Sequence, residues 1–507
     1  MKKNLPRFGT LSWIITISTI IFFCCSSIRH ALFHSSAFDL GIFDQSIYLI
    51  SQGKEPICSF IGFHILGDHA AWILYPLSLL YKIYPDVHWL FAVQAVALAL
   101  GALPIWHLAR QAALKAASAQ AIAVAYLLYP LVFNLNLFDF HPEVMALPAL
   151  LAAVLAARLG KIWWFTGAIL WILGCKAVLA LTVAAMGLWL LVFENQRLYG
   201  AIALLAGIAW FLIATQLIIP LFSGSEAAAV GRYAYLGSSV LEIAQNLLLK
   251  PWLVLEKVFS LETLEYLVLL ILPIIWGVSP QHLTPLVAAI PSLVINILSE
   301  SPAQRNLVHQ YSLPVLPFLL LAVIASLAAG KGWLPRVSEK RCGGKNERTG
   351  RGGDKQTRRI EIPHKISFTR LPNRRWIILW SLITFLALGK YGYFWSIYLN
   401  SLDTWQATRE ALVQIQTSGS VLTAPQIAPH LTHRQVVKLA IAGSECANLD
   451  EFEYILLNLP HPGFGSTPEV VVSLLARIKN TPEFQLSYQR DDIYLFTRGN
   501  QTLQSQL

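Results

Sequence analysis

Long apolar runs recur along this chain, separated by short polar turns. "LSWIITISTIIFFCCSSI" (11–28), "WLFAVQAVALALGALPIWHLA" (89–109) and "LYGAIALLAGIAWFLIATQLIIPLF" (198–222) each have about the length of a helix that crosses a bilayer. "WIILWSLITFLALG" with its flank (376–398) does as well. Recurrence of such runs predicts a mainly α, polytopic membrane protein. The pattern places about eleven transmembrane helices at 11–28, 88–109, 116–135, 143–158, 162–175, 177–193, 198–222, 265–279, 281–298, 311–329 and 376–398. In the stretches 162–193 and 265–298, one long helix could replace two. The first run follows Lys2, Lys3 and Arg7, but it is about twice the length of a signal-peptide core and no small-x-small site follows it. It reads as an uncleaved first helix.

Near residue 400 the pattern shortens. "GSVLTA", "FEYILLNL" and "FQLSYQRDDIYLFTR" read as strands, the last as a hairpin turning at Arg490-Asp491-Asp492. "PQIAPHLTHR" and "STPEVVVSLLARIKN" read as helices, the second with Ser466 or Thr467 as N-cap, Pro468 in the first turn and Glu469 beside it. Residues 400–507 therefore form a small α/β domain with no nucleotide-binding loop and no catalytic triad.

Charge sets the expected orientation, because short cytoplasmic loops are enriched in Lys and Arg. Only 13% of the 507 residues are charged. Segment 331–375 carries fourteen Lys and Arg against four acids, a net of +10 that equals the formal charge of the whole chain. A disordered cytoplasmic loop drawn to anionic lipid accounts for it better than nucleic-acid binding. With that loop and the N-terminus inside, an odd number of spans puts residues 400–507 outside. The frame is a 1–330 membrane domain with an outer loop at 29–87, the basic loop 331–375, a last helix 376–398, and the outer domain. The location is a bacterial inner membrane. Six cysteines give no CxxC and no zinc or redox signal. Cys58 and Cys446 share the outer side, so a disulfide between them is conceivable.

The unusual polar residues gather on that outer side: Asp39, Asp44, Gln45, His64, Asp68 and His69 in the first loop, Asp139, His141 and Glu143 in "FDFHPE", then Arg232, Arg305 and His309. Each has a simpler reading. Asp39 suits the N-cap of a helix starting at Leu40. Asp44 shares an arc with Gly41, Gln45, Tyr48, Ser51 and Gln52, opposite Phe43, Ile47 and Ile50, which suits a solvated face of an interfacial helix. Asp68 suits another cap. His64, Asp68 and His69 can ligate, but in no strong metal order. Pro142 and Glu143 are ordinary helix-start choices, leaving Asp139 and His141 without a local role. Arg232, Arg305 and His309 can bind a phosphate or merely pair with loop acids. Lys176 lies in apolar "WILGCKAVLAL", as a functional cation or one snorkelling to the interface.

"FDLGIFDQ", "GDHAAWILYPLSLLYKIYP", "QAVALALGALPIW", "FDFHPE" and "HQYSLPVLPF" occur in that order. Together they resemble an uncharacterised bacterial family of multi-pass membrane proteins related to the GT-C glycosyltransferases. The likeness covers about 30–330 and, more weakly, the C-terminal domain. It implies a GT-C-like enzyme that takes a sugar from a polyprenyl-phosphate donor at the outer leaflet. Asp39 would be the loop carboxylate that acts as base or helps hold a divalent metal, with Asp44 next in line and a pKa raised by the low-dielectric boundary. Asp68, His69, Asp139, His141, Glu143, Lys176, Arg232, Arg305 and His309 would serve binding. Partners would be membrane lipid and a lipid-linked sugar. The family commonly has two acids after the lysine where this chain has Ala177 and Val178. That departure keeps open a catalytically inactive lipid- or glycan-binding protein, or a transporter.

Overall fold

The computed structural model of the chain describes residues 9–226, 228–331 and 374–499. The basic loop, apart from its flanks, lies outside them. The fold is mainly α, with helical structure at each of the eleven expected places. Among the described residues, five helical stretches are long and apolar enough to cross a membrane, some of them interrupted by a turn: Thr10–Ala31, His88–Gln111, Ala116–Phe138, Arg197–Ser223 and Gln310–Ala328.

Proline explains many of the interruptions. Pro130 opens the second half of Ala116–Phe138, after an extended Tyr129. Pro273, Pro285 and Pro314 sit in short 3-10 turns, which break the region 265–315 into pieces. The stretch 162–193 is two helices, Ile162–Cys175 and Leu179–Val192, parted by an extended Lys176. The second packs backbone to backbone on Arg197–Ile213. A Cβ on Gly187 would stand 2.3 Å from the Leu204 nitrogen, so only glycine permits that approach.

The last apolar run is not one helix, as expected for 376–398. It breaks into Arg374–Leu388 and Tyr391–Asn400. Asn134, wholly buried, donates to the Leu388 carbonyl (3.2 Å) and accepts from the Lys390 amide (2.7 Å). Its amide also donates to the Leu307 carbonyl (2.8 Å). One side chain thus bonds the backbone on both sides of the break.

Beyond residue 400 lies a five-stranded sheet in the spatial order Val437–Leu439, Val421–Thr423, Tyr454–Asn458, Ile493–Arg498, Phe484–Arg490. The first two pairings are parallel and the last two antiparallel. The hairpin turns on Asp491 and Asp492, both at positive φ (49° and 56°), as a two-residue turn of this hand requires. Helix Pro468–Lys479, capped by Thr467, packs on one face of the sheet. Helix Trp405–Val413 packs on the other, where Ala37 and Phe38 of the segment after the first helix join the core. Two expectations fail here. Segment 425–434 is turns with a single 3-10 turn at Ala428–His430, because Pro429 lacks the amide that a regular helix would need there and its ring clashes with the carbonyl one turn earlier. Strand Val437–Leu439 carries too few residues to show a period. Cys58 is buried and Cys446 exposed, both free, so the disulfide does not form.

Candidate functional site

The segment after the first helix enters the fold through a π turn, Ala37–Gly41, followed by helix Ile42–Ser51. The cap is Ser36, whose hydroxyl accepts from the Phe38 amide (3.1 Å). Asp39 is therefore not the cap. Its carboxylate is free to face another element, and Oδ1 lies 3.2 Å from Nε2 of His141. Burial alone would raise the Asp39 carboxyl. The hydrogen bond and charge of His141, with smaller help from Arg29 and Ser36, outweigh burial and hold its pKa below the ordinary value. The raised pKa expected for Asp39 is thus reversed, because the low-dielectric boundary supplies a partner as well as desolvation. His141 answers in kind: burial would lower it, but Asp39 and the charge of Glu143 raise it above the ordinary histidine value.

"FDFHPE" places His141. Helix Pro130–Phe138 ends at Asp139, whose φ of 149° turns the chain sharply before the 3-10 turn Pro142–Met145. A non-glycine residue tolerates that backbone only when its surroundings hold it. Asp139 is held by the Arg29 guanidinium and by the Ser36 amide (2.8 Å). The residue with no local role thus ties the C-terminal end of Thr10–Ala31 and the start of the Asp39 turn to the His141 turn. Burial pushes its carboxyl up to about 6, with Arg29 opposing.

Glu143 and Lys176 form a buried ion pair behind His141. Lys176 sits in the extended break between two helices, and the next amide, Ala177, donates to the His69 carbonyl (2.9 Å). His69 contacts its neighbour Asp68 (3.4 Å). Asp39, Asp139, His141, Glu143, Lys176 and His69 therefore form one connected neighbourhood. Within it the Asp39 side chain keeps 24% of its exposure, against 1% for Asp139 and 3% for His141. Asp39 is the carboxylate a substrate could reach.

A cavity of about 390 Å³ shares a wall with this pair. Phe138 stacks on His141 (5.5 Å between centroids) and meets His309 edge-on (4.5 Å). Arg29, His34, His309, Lys390 and Tyr398 complete much of the lining. His309 is oriented by Asn306 (3.0 Å), and His34 by Ser401 (2.8 Å). The cavity combines an aromatic wall with Lys390, the Asp139-paired Arg29 and two histidines whose burial lowers their pKa, His34 to about 4, so their rings act as neutral hydrogen-bonding groups; such a set can donate to an oxyanion. Sequence reasoning missed Arg29, His34, Asn134, Lys390 and Tyr398. The available signals were a basic pair at the outer end of the first helix, an Asn inside an apolar helix and a Lys in the last run.

Asp44 belongs elsewhere. It is buried, not on a solvated face: Tyr81 and Thr432 donate to its two carboxylate oxygens, and His433 stands 3.4 Å away. The polar arc of its helix is a docking surface for the C-terminal sheet. Gln45 bonds Ser59 and the Arg434 carbonyl (2.8 and 3.1 Å), and Tyr48 stacks on His433. Arg305 donates to the carbonyls of Ile297 and Ser299, closing the end of helix Ile290–Leu298. The Arg232 guanidinium lies over the Tyr311 ring, 5.1 Å from its centroid. Both cations have structural work at these places, away from Asp39. Among the described residues, no three His, Cys, Asp or Glu side chains stand together as metal ligands.

No curated protein matches the sequence. Among solved structures, ArnT from Cupriavidus metallidurans in the apo state aligns over 96% of this chain and 98% of its own, at a TM-score of 0.51 and 11% identity. ArnT from the same organism bound to undecaprenyl phosphate aligns over 97% and 100%, at 0.49 and 11%. The apo comparison shows that the chain shares the fold of that structure. Through residues 29–495, which carry both the Asp39–His141 pair and the C-terminal sheet, the chain belongs to the predicted membrane protein family DUF2079.

Proposed function

We propose that the chain is a membrane glycosyltransferase that moves a sugar from a polyprenyl-phosphate donor at the outer face of a bacterial inner membrane. The observation that carries this reading is the pairing of Asp39 with His141 beside a cation-lined cavity. In the reaction, the acceptor hydroxyl attacks the anomeric carbon while its proton passes to the Asp39 carboxylate. The bond from that carbon to the phosphate breaks, and the electron pair leaves with the polyprenyl phosphate. A carboxylate held by His141 stays ionised at neutral pH, so it is always available to accept a proton. Its lowered pKa makes it a weaker base, which positioning must offset. Arg29, Lys390 and His309 face the space where a leaving phosphate would carry its charge.

The binding assignments divide. His141 orients Asp39, Asp139 anchors the turn, and Glu143 with Lys176 supports it from behind. The phosphate role expected of Lys176 moves to the groups that line the cavity, because Lys176 is not among them and its ammonium faces Glu143. A divalent metal remains a proposal for Asp39 alone, because the nearby Asp139 carboxylate is engaged by Arg29 and the Ser36 amide. In proteoliposomes with a polyprenyl-phosphate-linked sugar, Asp39→Asn should abolish transfer that the unaltered protein supports. Full transfer by the variant would end the base role.

A further inference from the structure

We infer that Phe464, together with Phe38, forms a stacking subsite for a pyranose ring of the acceptor saccharide, supplied to the reaction centre by the C-terminal sheet. The inference rests on the glycosyltransferase reading above and names where its water-side substrate lies.

Phe464 is 80% exposed, although the loop that carries it is firmly held. The His461 amide donates to Asn458 (2.8 Å), the His461 ring meets Asp403 (2.8 Å), and Gln426 donates to the His461 carbonyl. The Gly465 carbonyl accepts from the Ala442 amide (2.9 Å). Gly463 has φ +89°, and a Cβ there would fall 2.0 Å from Gln426 Oε1, so this backbone admits only glycine. The loop therefore presents its aromatic tip in a fixed place. It keeps a large apolar ring available for contact from outside the chain.

What the ring faces identifies the ligand class. Phe464 meets Phe38 edge-on at 6.1 Å, and Phe38 is the residue before Asp39. An aromatic corner beside a carboxylate is what a sugar requires. The C–H face of a pyranose packs on the ring while a hydroxyl reaches the acid. The cavity that would receive the lipid phosphate is lined from helix Pro130–Phe138 and the broken last helix, and no residue of the sheet is in its lining. The sheet side is left for the acceptor.

The test uses the full chain in nanodiscs with 4-fluorophenylalanine at position 464. Addition of chitotriose, maltotriose or mannotriose should shift its fluorine resonance for at least one sugar. Phe464→Ala should raise KM for a saccharide acceptor roughly tenfold with kcat nearly unchanged, and Phe464→Trp should restore it. At 80% exposure, the truncation leaves the fold intact. A resonance that responds to bilayer in place of detergent but to no sugar makes Phe464 a lipid anchor and overturns the inference. So does a resonance that responds to nothing, or an unchanged KM. A sugar-dependent shift in a protein that transfers no sugar upholds the subsite while refuting the proposed reaction.

Discussion

Asp39 and His141, 102 residues apart in sequence, meet at 3.2 Å, and each moves the other's proton affinity in the direction that keeps both charged. The pair joins the loop after the first helix to the end of an apolar helix, and through Asp139 and Arg29 to the first helix as well. If Asp39 takes the acceptor proton, Asp39→Asn keeps the shape and a hydrogen-bonding group but loses the base. Transfer should fall by about 100-fold or more, with unchanged thermal stability within about 1 kcal/mol. A matched loss of stability would assign the residue to the scaffold instead.

The same pair fixes a pH dependence. A carboxylate with a lowered folded pKa contributes stability above its unfolded value and loses it as pH falls through the folded one. His141, raised, contributes below its unfolded value and loses that as pH rises through the folded one. The pair is therefore strongest between the two folded values. In His141→Ala, burial acts on Asp39 with little opposition and lifts its pKa. The acid limb of the rate profile should move to higher pH. An acid limb that stays in place would show that another group sets it.

Much of the frame was legible from the sequence because spans and strands announce themselves through local periodicity. The hairpin at Asp491-Asp492 and the Thr467 cap followed from local chemistry alone. What stayed hidden depends on distant partners. The polar arc through Asp44 was visible, but its cover is Thr432 and His433, 388 residues away in the case of Thr432. Solvent and a docked sheet leave the same pattern on a helix. Lys176 looked unpaired because Glu143 looked like a helix-start acid. Asn134 passed unnoticed because one Asn in an apolar helix scarcely changes its mean hydropathy.

Asn134 gives the next expectation. Asn134→Ala strands the Lys390 amide and two carbonyls at the break in the last helix. The Leu307 carbonyl is buried and the other two groups only partly so; one orphaned buried group costs about 1–3 kcal/mol, so the unfolding temperature in detergent should drop by a few degrees. Binding of polyprenyl phosphate should weaken too, since Lys390 loses its fixed position in the cavity wall. An unchanged unfolding temperature would mean that the break is held from elsewhere.

The Glu143–Lys176 pair separates support from binding. Glu143→Ala leaves an ammonium in a site where the lysine side chain is 12% exposed, and should cost about 3–5 kcal/mol. The double variant Glu143→Leu with Lys176→Met should recover most of that loss, because two apolar groups need no partner. If the double variant also retains transfer, Lys176 is not a phosphate ligand. If it is stable yet inactive, the lysine has a role in the site beyond its pairing.

Asp44 decides whether the C-terminal sheet is fastened or merely adjacent. Asp44→Ala removes the acceptor of Tyr81 and Thr432 and the charge facing His433. Docking should loosen while the sheet itself stays folded, and amide hydrogen exchange distinguishes the two. The Ser59 amide donates to Gln45 (2.9 Å), and the Val437 amide donates to the Ser59 hydroxyl (3.0 Å), so both report on the interface. The Leu456 amide lies in the middle of a central strand flanked on both sides, so it reports on the sheet. Ser59 and Val437 should exchange faster and Leu456 should not. Acceleration at Leu456 as well would make Asp44 a requirement for folding of the sheet. Because Ala37 and Phe38 share the sheet's core one step from Asp39, loosened docking should also lower transfer, through displacement of the Asp39 turn.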